Sequence, residues 1–292
     1  MKDRVQSFLN FLEVEKGYAE NTIAAYHNDL NQFYEYLQTN KTVKEPENWG
    51  QVNKTTVVNY IERLKKSGKY ASSTVARKVA AIKSFFHFLV AEGEIKEDPT
   101  FALDSPKVKK RLPKAMTPGE IERLLQAPAK ESGSKALRDS ALLEMLYASG
   151  MRVTELVSLD LPDVEFENGG KVRVRSKRSS AREREIPITE SALDVLKEYI
   201  ENGREQLLHD LNEPALFLNN RGQRLTRQGL WLIIKHYVEV IGISTEVTPH
   251  TLRHSFAAHK LSQGKSLQDI QKLLGHANIS TTQVYTHINR ES

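Results

Sequence analysis

The sequence predicts a mainly α-helical protein with one small β-sheet, divided into two domains by a basic linker. Three observations predict this. Apolar residues recur at three- and four-residue steps through most of the chain, the period of helices with one buried face. Between Lys171 and Ile188 that period gives way to strand-like alternation. The formal net charge of +5 also has a single location: acidic and basic residues balance in 1–106 and in 115–292, leaving the whole excess in Lys107 to Lys114.

At 292 residues the chain exceeds one ordinary domain and suits two, each able to bury a core. Cysteine is absent, which excludes a disulfide framework, a thiol nucleophile and a cysteine-type zinc site, and points to a reducing compartment. No apolar run approaches the roughly 18 to 20 residues of a membrane span, and the N-terminus lacks a signal-peptide core. A soluble, intracellular protein is expected.

Residues 1–105 read as an all-helical unit of four helices. Val5, Phe8, Leu9 and Leu12 share one face, as do Tyr26, Leu30, Phe33 and Leu37. Two further helices span Lys54 to Lys66 and Ser73 to Ala91, the latter ended by Gly93. Lys65, Lys66, Lys69, Arg77, Lys78 and Lys83 are candidates to grip a DNA backbone, although a merely solvated helix face carries the same residues.

The linker, residues 106–114, carries Lys107, Lys109, Lys110 and Arg111 between Pro106 and Pro113, which disfavour helix on either side. A basic connection between two neutral domains suits a clamp closing around a polyanion such as DNA. A solvated hinge or a localisation-like tract has the same composition.

Residues 115–292 form the second domain. It opens with Thr117, Pro118 and Glu120, the pattern of a capping box with proline at the first helical position. A helix from about Ala136 to Ala148 ends at Gly150, and the chain restarts at once, so Arg152 falls in a turn with Glu155 three residues on. That pair reads either as an organised site or as a local surface ion pair. The alternating segment is a hairpin dense in cations: Arg173, Arg175, Arg178, Arg182 and Arg184 surround Lys177 near the tip. It suits a DNA groove, or simply solvent.

Thr248 and Pro249 mark another helix start, placing His250 and Arg253 early and on one face, where backbone N–H groups favour a bound phosphate. His254 and His259 read as packing or surface residues. The next helix begins at Ser266 with Asp269 as its capping partner and stops at Gly275, so His276 projects just beyond it. A last start at Ser280, with Gln283, places Tyr285 on a short late helix. Taken singly, Tyr285 is an ordinary amphipathic tyrosine and His276 a C-cap histidine. Taken together, a tyrosine hydroxyl, a His-x-x-Arg and a second histidine are the groups needed to attack a phosphodiester without a metal.

Arg152, His250-x-x-Arg253, Leu274-Gly-His276 and Tyr285 resemble the signature of the tyrosine recombinases, the integrase family. The likeness spans nearly the whole chain. Stretches such as Asn21 to Tyr26 and Leu274 to His287 are most similar to the Xer-type site-specific recombinases. The resemblance implies a helical, SAM-like core-binding domain and an α+β catalytic domain forming a C-shaped clamp on DNA. It implies Tyr285 as nucleophile, forming a 3′-phosphotyrosyl link with release of a 5′-hydroxyl, and Arg152 and Arg253 as clamps on the phosphate. His250 would assist proton removal, Lys177 would protonate the leaving oxygen, His276 would donate to the phosphate, and Glu155 would orient its neighbours. No metal, ATP or other cofactor is required.

Two departures stand out. The family hairpin usually turns at Gly-Lys-Gly, whereas this one reads Ser176-Lys177-Arg178 and is about two residues longer; Arg182 is a poor substitute acid because guanidinium gives up its proton reluctantly. The sequence also ends at Ser292, soon after Tyr285, where family members usually continue into a helix that docks on a neighbouring protomer; weaker cyclic assembly or a shortened chain would follow. The implied partners are double-stranded DNA with inverted-repeat half-sites and a homotetramer, or a heterotetramer with a sister recombinase, on two duplexes. An accessory or translocase protein and a cytoplasmic, nucleoid-associated location go with them. Chromosome or plasmid dimer resolution is the leading function. A mobile-element integrase, a type IB topoisomerase-like enzyme and a catalytically impaired architectural protein are the alternatives.

Overall fold

The computed structural model describes residues 1–39, 46–104, 115–167, 169–175, 183–243, 247–276, 278–279 and 282. The chain divides into two compact units, Met1–Arg111 and Leu112–Ser292. The basic linker at 106–114 lies outside the described residues.

The first unit is built from four helices, α1 (Lys2–Val14), α2 (Glu20–Thr39), α3 (Lys54–Lys66) and α4 (Ser72–Ala91). Each buries the face that its apolar period defines: Val5, Phe8, Leu9 and Leu12 from α1, and Leu30, Phe33 and Leu37 from α2. Asn53 caps α3 by accepting the Thr56 N–H at 2.9 Å. The core is rich in aromatic rings, with Phe8 edge-on to Phe85 at 5.5 Å and Trp49 edge-on to Phe85 at 4.8 Å. A charged pair lies inside it: the Asp29 carboxylate is buried and accepts from the buried Lys78 Nζ at 2.8 Å and from Arg77.

The second unit is organised around α6 (Ser134–Ser149), whose Ala141, Leu142, Met145 and Leu146 are fully buried. It follows α5 (Pro118–Gln126), which starts with the expected capping box: Thr117 Oγ1 accepts the Glu120 N–H at 3.2 Å, and Glu120 Oε2 accepts the Thr117 N–H at 2.8 Å. Then come α7 (Val153–Val157) and an antiparallel sheet in the order β1 (Val164–Glu165), β2 (Lys171–Val174), β3 (Arg184–Pro187). In the β2–β3 register Val172 faces Ile186 and Val174 faces Arg184. Val172, Val174 and Ile186 point inward, so Arg184 occupies an inward position of the same alternation.

Helices α8 (Glu190–Glu198), α9 (Glu205–Leu207) and α10 (Arg227–Val240) complete the wall of the core, and α11 (Pro249–Ser262) and α12 (Leu267–Leu274) close the described chain. Among the described residues, no helix is long and apolar enough to cross a membrane.

Candidate active site

The site grows from three chain interruptions. At the first, α6 stops because Gly150 adopts φ +58°, where a Cβ would also overlap the Phe256 ring. The chain restarts with Arg152 as the residue before α7. Its backbone N–H donates to Glu155 Oε2 at 2.6 Å and its Nη1 to Glu155 Oε1 at 3.0 Å, so one carboxylate both caps the helix and aims the guanidinium.

The second interruption is the start of α11. Thr248 Oγ1 accepts the Thr251 N–H at 3.2 Å and Pro249 fills the first helical position. His250 is exposed, whereas Arg253, one turn on, is 4% exposed and reaches inward. Its Nη1 donates to the Gly150 carbonyl at 2.7 Å and its Nη2 to the Leu274 carbonyl at 2.7 Å.

The third is the end of α12, where Gly275 takes φ +61°. Three successive carbonyls at this helix end receive three different arginines: Leu273 from Arg184 Nε at 3.0 Å, Leu274 from Arg253 Nη2 at 2.7 Å, and Gly275 from Arg152 Nη2 at 3.1 Å. A helix C-terminus leaves carbonyls without partners and carries partial negative charge, so it gathers cations. The turn thereby brings Arg152 and Arg253 together from separate helices. His276 follows directly, with Nε2 3.0 Å from Arg253 Nη2 and Nδ1 2.9 Å from Thr282 Oγ1.

The electrostatics follow from that crowding. Burial, then the charges of Arg253, Arg152, Arg184 and His250, push the His276 pKa down to about 4, so the imidazole is neutral near pH 7. Burial pushes the Glu155 carboxyl up, but hydrogen bonds and charge from Arg184 and Arg152 outweigh it and hold the group below its ordinary value.

Of the residues singled out in the sequence, Arg152, Glu155, Arg253 and His276 meet at one place, and His250 is close enough for its charge to act on His276. Lys177, Arg178, Arg182 and Tyr285 lie outside the described residues, as do Lys107, Lys109, Lys110 and Arg111. Arg173 and Arg175 are exposed, with Arg175 Nη2 2.7 Å from the buried Asp163 carboxylate and Arg173 Nη2 3.9 Å from Glu185. In the first unit Lys65, Lys66 and Lys69 are exposed, Arg77 is 41% exposed beside Asp29, and Lys83 Nζ donates to the Leu103 carbonyl at 2.7 Å.

Lys78 is a correction. It is 2% exposed, and its ammonium is bonded to Asp29 at 2.8 Å and Gln32 at 2.7 Å, so it neutralises an internal carboxylate and is not presented to a phosphate. Arg184 is the reverse case, a residue that reads as one of the hairpin's solvated cations and instead joins the site. The signal that finds it is its phase: it stands two and four residues before the inward Ile186 and Ile188.

The chain matches the model of the phage integrase family over residues 114–292, and that of the phage integrase N-terminal SAM-like domain over residues 5–93. The chain belongs to the phage integrase family. Among these tyrosine recombinases it is 47% identical over 291 residues to tyrosine recombinase XerC of Herpetosiphon aurantiacus, covering 100% of this chain and 92% of that protein. It is 42% identical to tyrosine recombinase XerD of Listeria innocua, covering 99% and 95%. The crystal structure of XerA recombinase shares 26% identity at a TM-score of 0.54, covering 98% of this chain and 93% of that one. XerH bound to palindromic difH substrate in a post-cleavage complex shares the fold, at TM-score 0.78 and 23% identity, covering 100% and 87%. This family member is therefore an Xer-type tyrosine site-specific recombinase, mainly helical with a small three-stranded sheet.

Proposed function

We propose that the cluster at the end of α12 is the phosphate clamp of a strand-transfer site whose nucleophile is Tyr285, and that recombination here serves chromosome or plasmid dimer resolution. The observation that carries the reading is the convergence of Arg152, Arg253 and His276 on one helix end. Two guanidinium groups held in place before substrate arrives are fixed donors for the negative charge that builds on non-bridging oxygens in the transition state.

The Tyr285 oxygen attacks phosphorus in line, forming the O–P bond as the bond from phosphorus to the 5′-oxygen breaks. A phenol with an ordinary pKa near 10 is a weak nucleophile at neutral pH, so His250 takes its proton, and Lys177 gives a proton to the departing 5′-oxygen. The 3′-phosphotyrosyl link keeps the energy of the broken ester, and attack by a 5′-hydroxyl of the partner strand reverses the step. His276 donates to the phosphate only after its proton moves to Nε2, because in the DNA-free arrangement Nε2 faces an arginine that can only donate.

The substrate is double-stranded DNA carrying inverted-repeat half-sites. Strand exchange between two duplexes needs four protomers, all of this chain or shared with a sister recombinase, with an accessory or translocase protein setting direction. The helical unit grips the duplex through Lys65, Lys66, Lys69 and Arg77, and the protein acts in the cytoplasm on the nucleoid.

Covalent trapping tests the reading. The protein is incubated in EDTA with nicked suicide duplexes bearing candidate recombination sites, and a denaturing gel is run beside Tyr285→Phe. An adduct formed by the parent protein and lost in the variant is the expected result. Tight binding with no adduct on any site would overturn it.

A further inference from the structure

Each of the three nitrogens of the Arg184 guanidinium donates inside the protein. Nε donates to the Leu273 carbonyl at 3.0 Å, Nη1 to Glu155 Oε1 at 2.9 Å and Nη2 to Glu155 Oε2 at 3.0 Å, and the side chain is 15% exposed. The bidentate fork fixes the plane of the Glu155 carboxylate, which in turn accepts both the backbone N–H and Nη1 of Arg152. On its other side Arg184 packs flat on Gly275, where a Cβ would come 2.8 Å from Nη1. Gly275 carries the carbonyl that Arg152 uses and leads directly into His276. Arg184 also begins β3, opposite Val174 at the end of β2. One side chain thus ties the base of the hairpin to the turn that holds Arg152 and to the turn that presents His276.

We propose that Arg184 is a positioning residue for strand cleavage, acting through Glu155 on Arg152 and through the Leu273 to Gly275 turn on His276. All three of its nitrogens already donate to protein acceptors and the side chain is only 15% exposed, so the phosphate is left to its neighbours. It sets where the groups that do bind it stand. Lysine cannot take its place, since an ammonium is a point donor that cannot span two carboxylate oxygens and a carbonyl on separate elements at once. The proposal rests on the phosphate-clamp reading above.

The test uses the full chain and a suicide duplex that the parent protein cleaves. For Arg184→Gln and Arg184→Lys, three quantities are measured: the DNA dissociation constant, the thermal midpoint, and the single-turnover rate of adduct formation at saturating protein. The expected result is a fall in that rate of about 100-fold in R184Q and nearly as much in R184K, with the dissociation constant changed by less than about 3-fold, because misplacing a catalytic group by an ångström has an effect of that order. In a cycle with Arg152→Ala, the double variant should be slower than R152A by no more than about 10-fold, well short of the loss that R184Q shows alone, since the route through Glu155 then has nothing to act on and only the route to His276 remains.

A parental rate in R184Q, a defect confined to DNA affinity, or losses that multiply in the double variant would each overturn the proposal. Loss of fold in both Arg184 variants would do the same, leaving the arginine a purely architectural part. If the parent protein forms no Tyr285-dependent adduct, the phosphate-clamp reading fails instead.

Discussion

Arg253 donates to His276 Nε2 at 3.0 Å, and that one contact fixes the state of the imidazole. Arginine has no acceptor, so Nε2 must present its lone pair. With the His276 pKa near 4 the ring is neutral, and its single proton therefore sits on Nδ1, facing the Thr282 hydroxyl at 2.9 Å.

Nitrogen-detected NMR of the DNA-free protein should accordingly show His276 as the Nδ1–H tautomer, titrating near pH 4. Since that value lies below the unfolded 6.5, the unfolded chain takes up the proton first as pH falls. The contribution of His276 to stability is complete above about 6.5 and is lost as pH falls toward 4. A titration midpoint near 6.5, or an Nε2–H tautomer, would refute the arrangement.

The two arginines of the proposed clamp should separate in a stability measurement. Arg253 is 4% exposed and satisfies two carbonyls at the ends of α6 and α12, so Arg253→Ala should cost about 2–6 kcal/mol by urea unfolding, at about 1–3 kcal/mol for each buried group left without a partner. Arg152 has a side chain 44% exposed, and Arg152→Ala should cost no more than about 1 kcal/mol. Both should slow adduct formation by about 100-fold or more. Equal stability losses would show that burial does not distinguish them.

Gly275→Ala tests the turn from the glycine side. The φ of +61° disfavours any side chain, and the new methyl would meet the Arg184 guanidinium at 2.8 to 3.1 Å. The backbone penalty alone is about 1–2 kcal/mol. The cleavage rate should fall further than that loss of stability explains, because Arg184 must shift off Glu155. Parental cleavage kinetics in Gly275→Ala would contradict this.

In the first unit, Lys78→Met should destabilise the protein by about 3 kcal/mol, since it strips a buried carboxylate of one of its two cations. The slope of DNA affinity against salt should stay unchanged. Lys65→Ala and Lys66→Ala, on exposed side chains, should leave stability within about 0.5 kcal/mol. Each that loses a phosphate contact should flatten the salt slope by about 0.9. A flatter slope in Lys78→Met would restore Lys78 to the DNA-facing set.

What the sequence determined by itself was local. Capping residues such as Thr117, Thr248 and Ser266, and left-handed stops such as Gly150 and Gly275, act within a few residues, so the helix ends and the positions of Arg152, His250, Arg253 and His276 at those ends could be read directly. Which cations find a partner inside was decided only by tertiary structure. Arg184 shares the phase of Ile186 and Ile188, but phase names no partner, and the fates of Arg184 and Lys78 depend on carboxylates 29 and 49 residues away, Glu155 and Asp29. The cost of burying a guanidinium or an ammonium is offset only when the fold brings such a partner to it, and sequence spacing does not record that meeting.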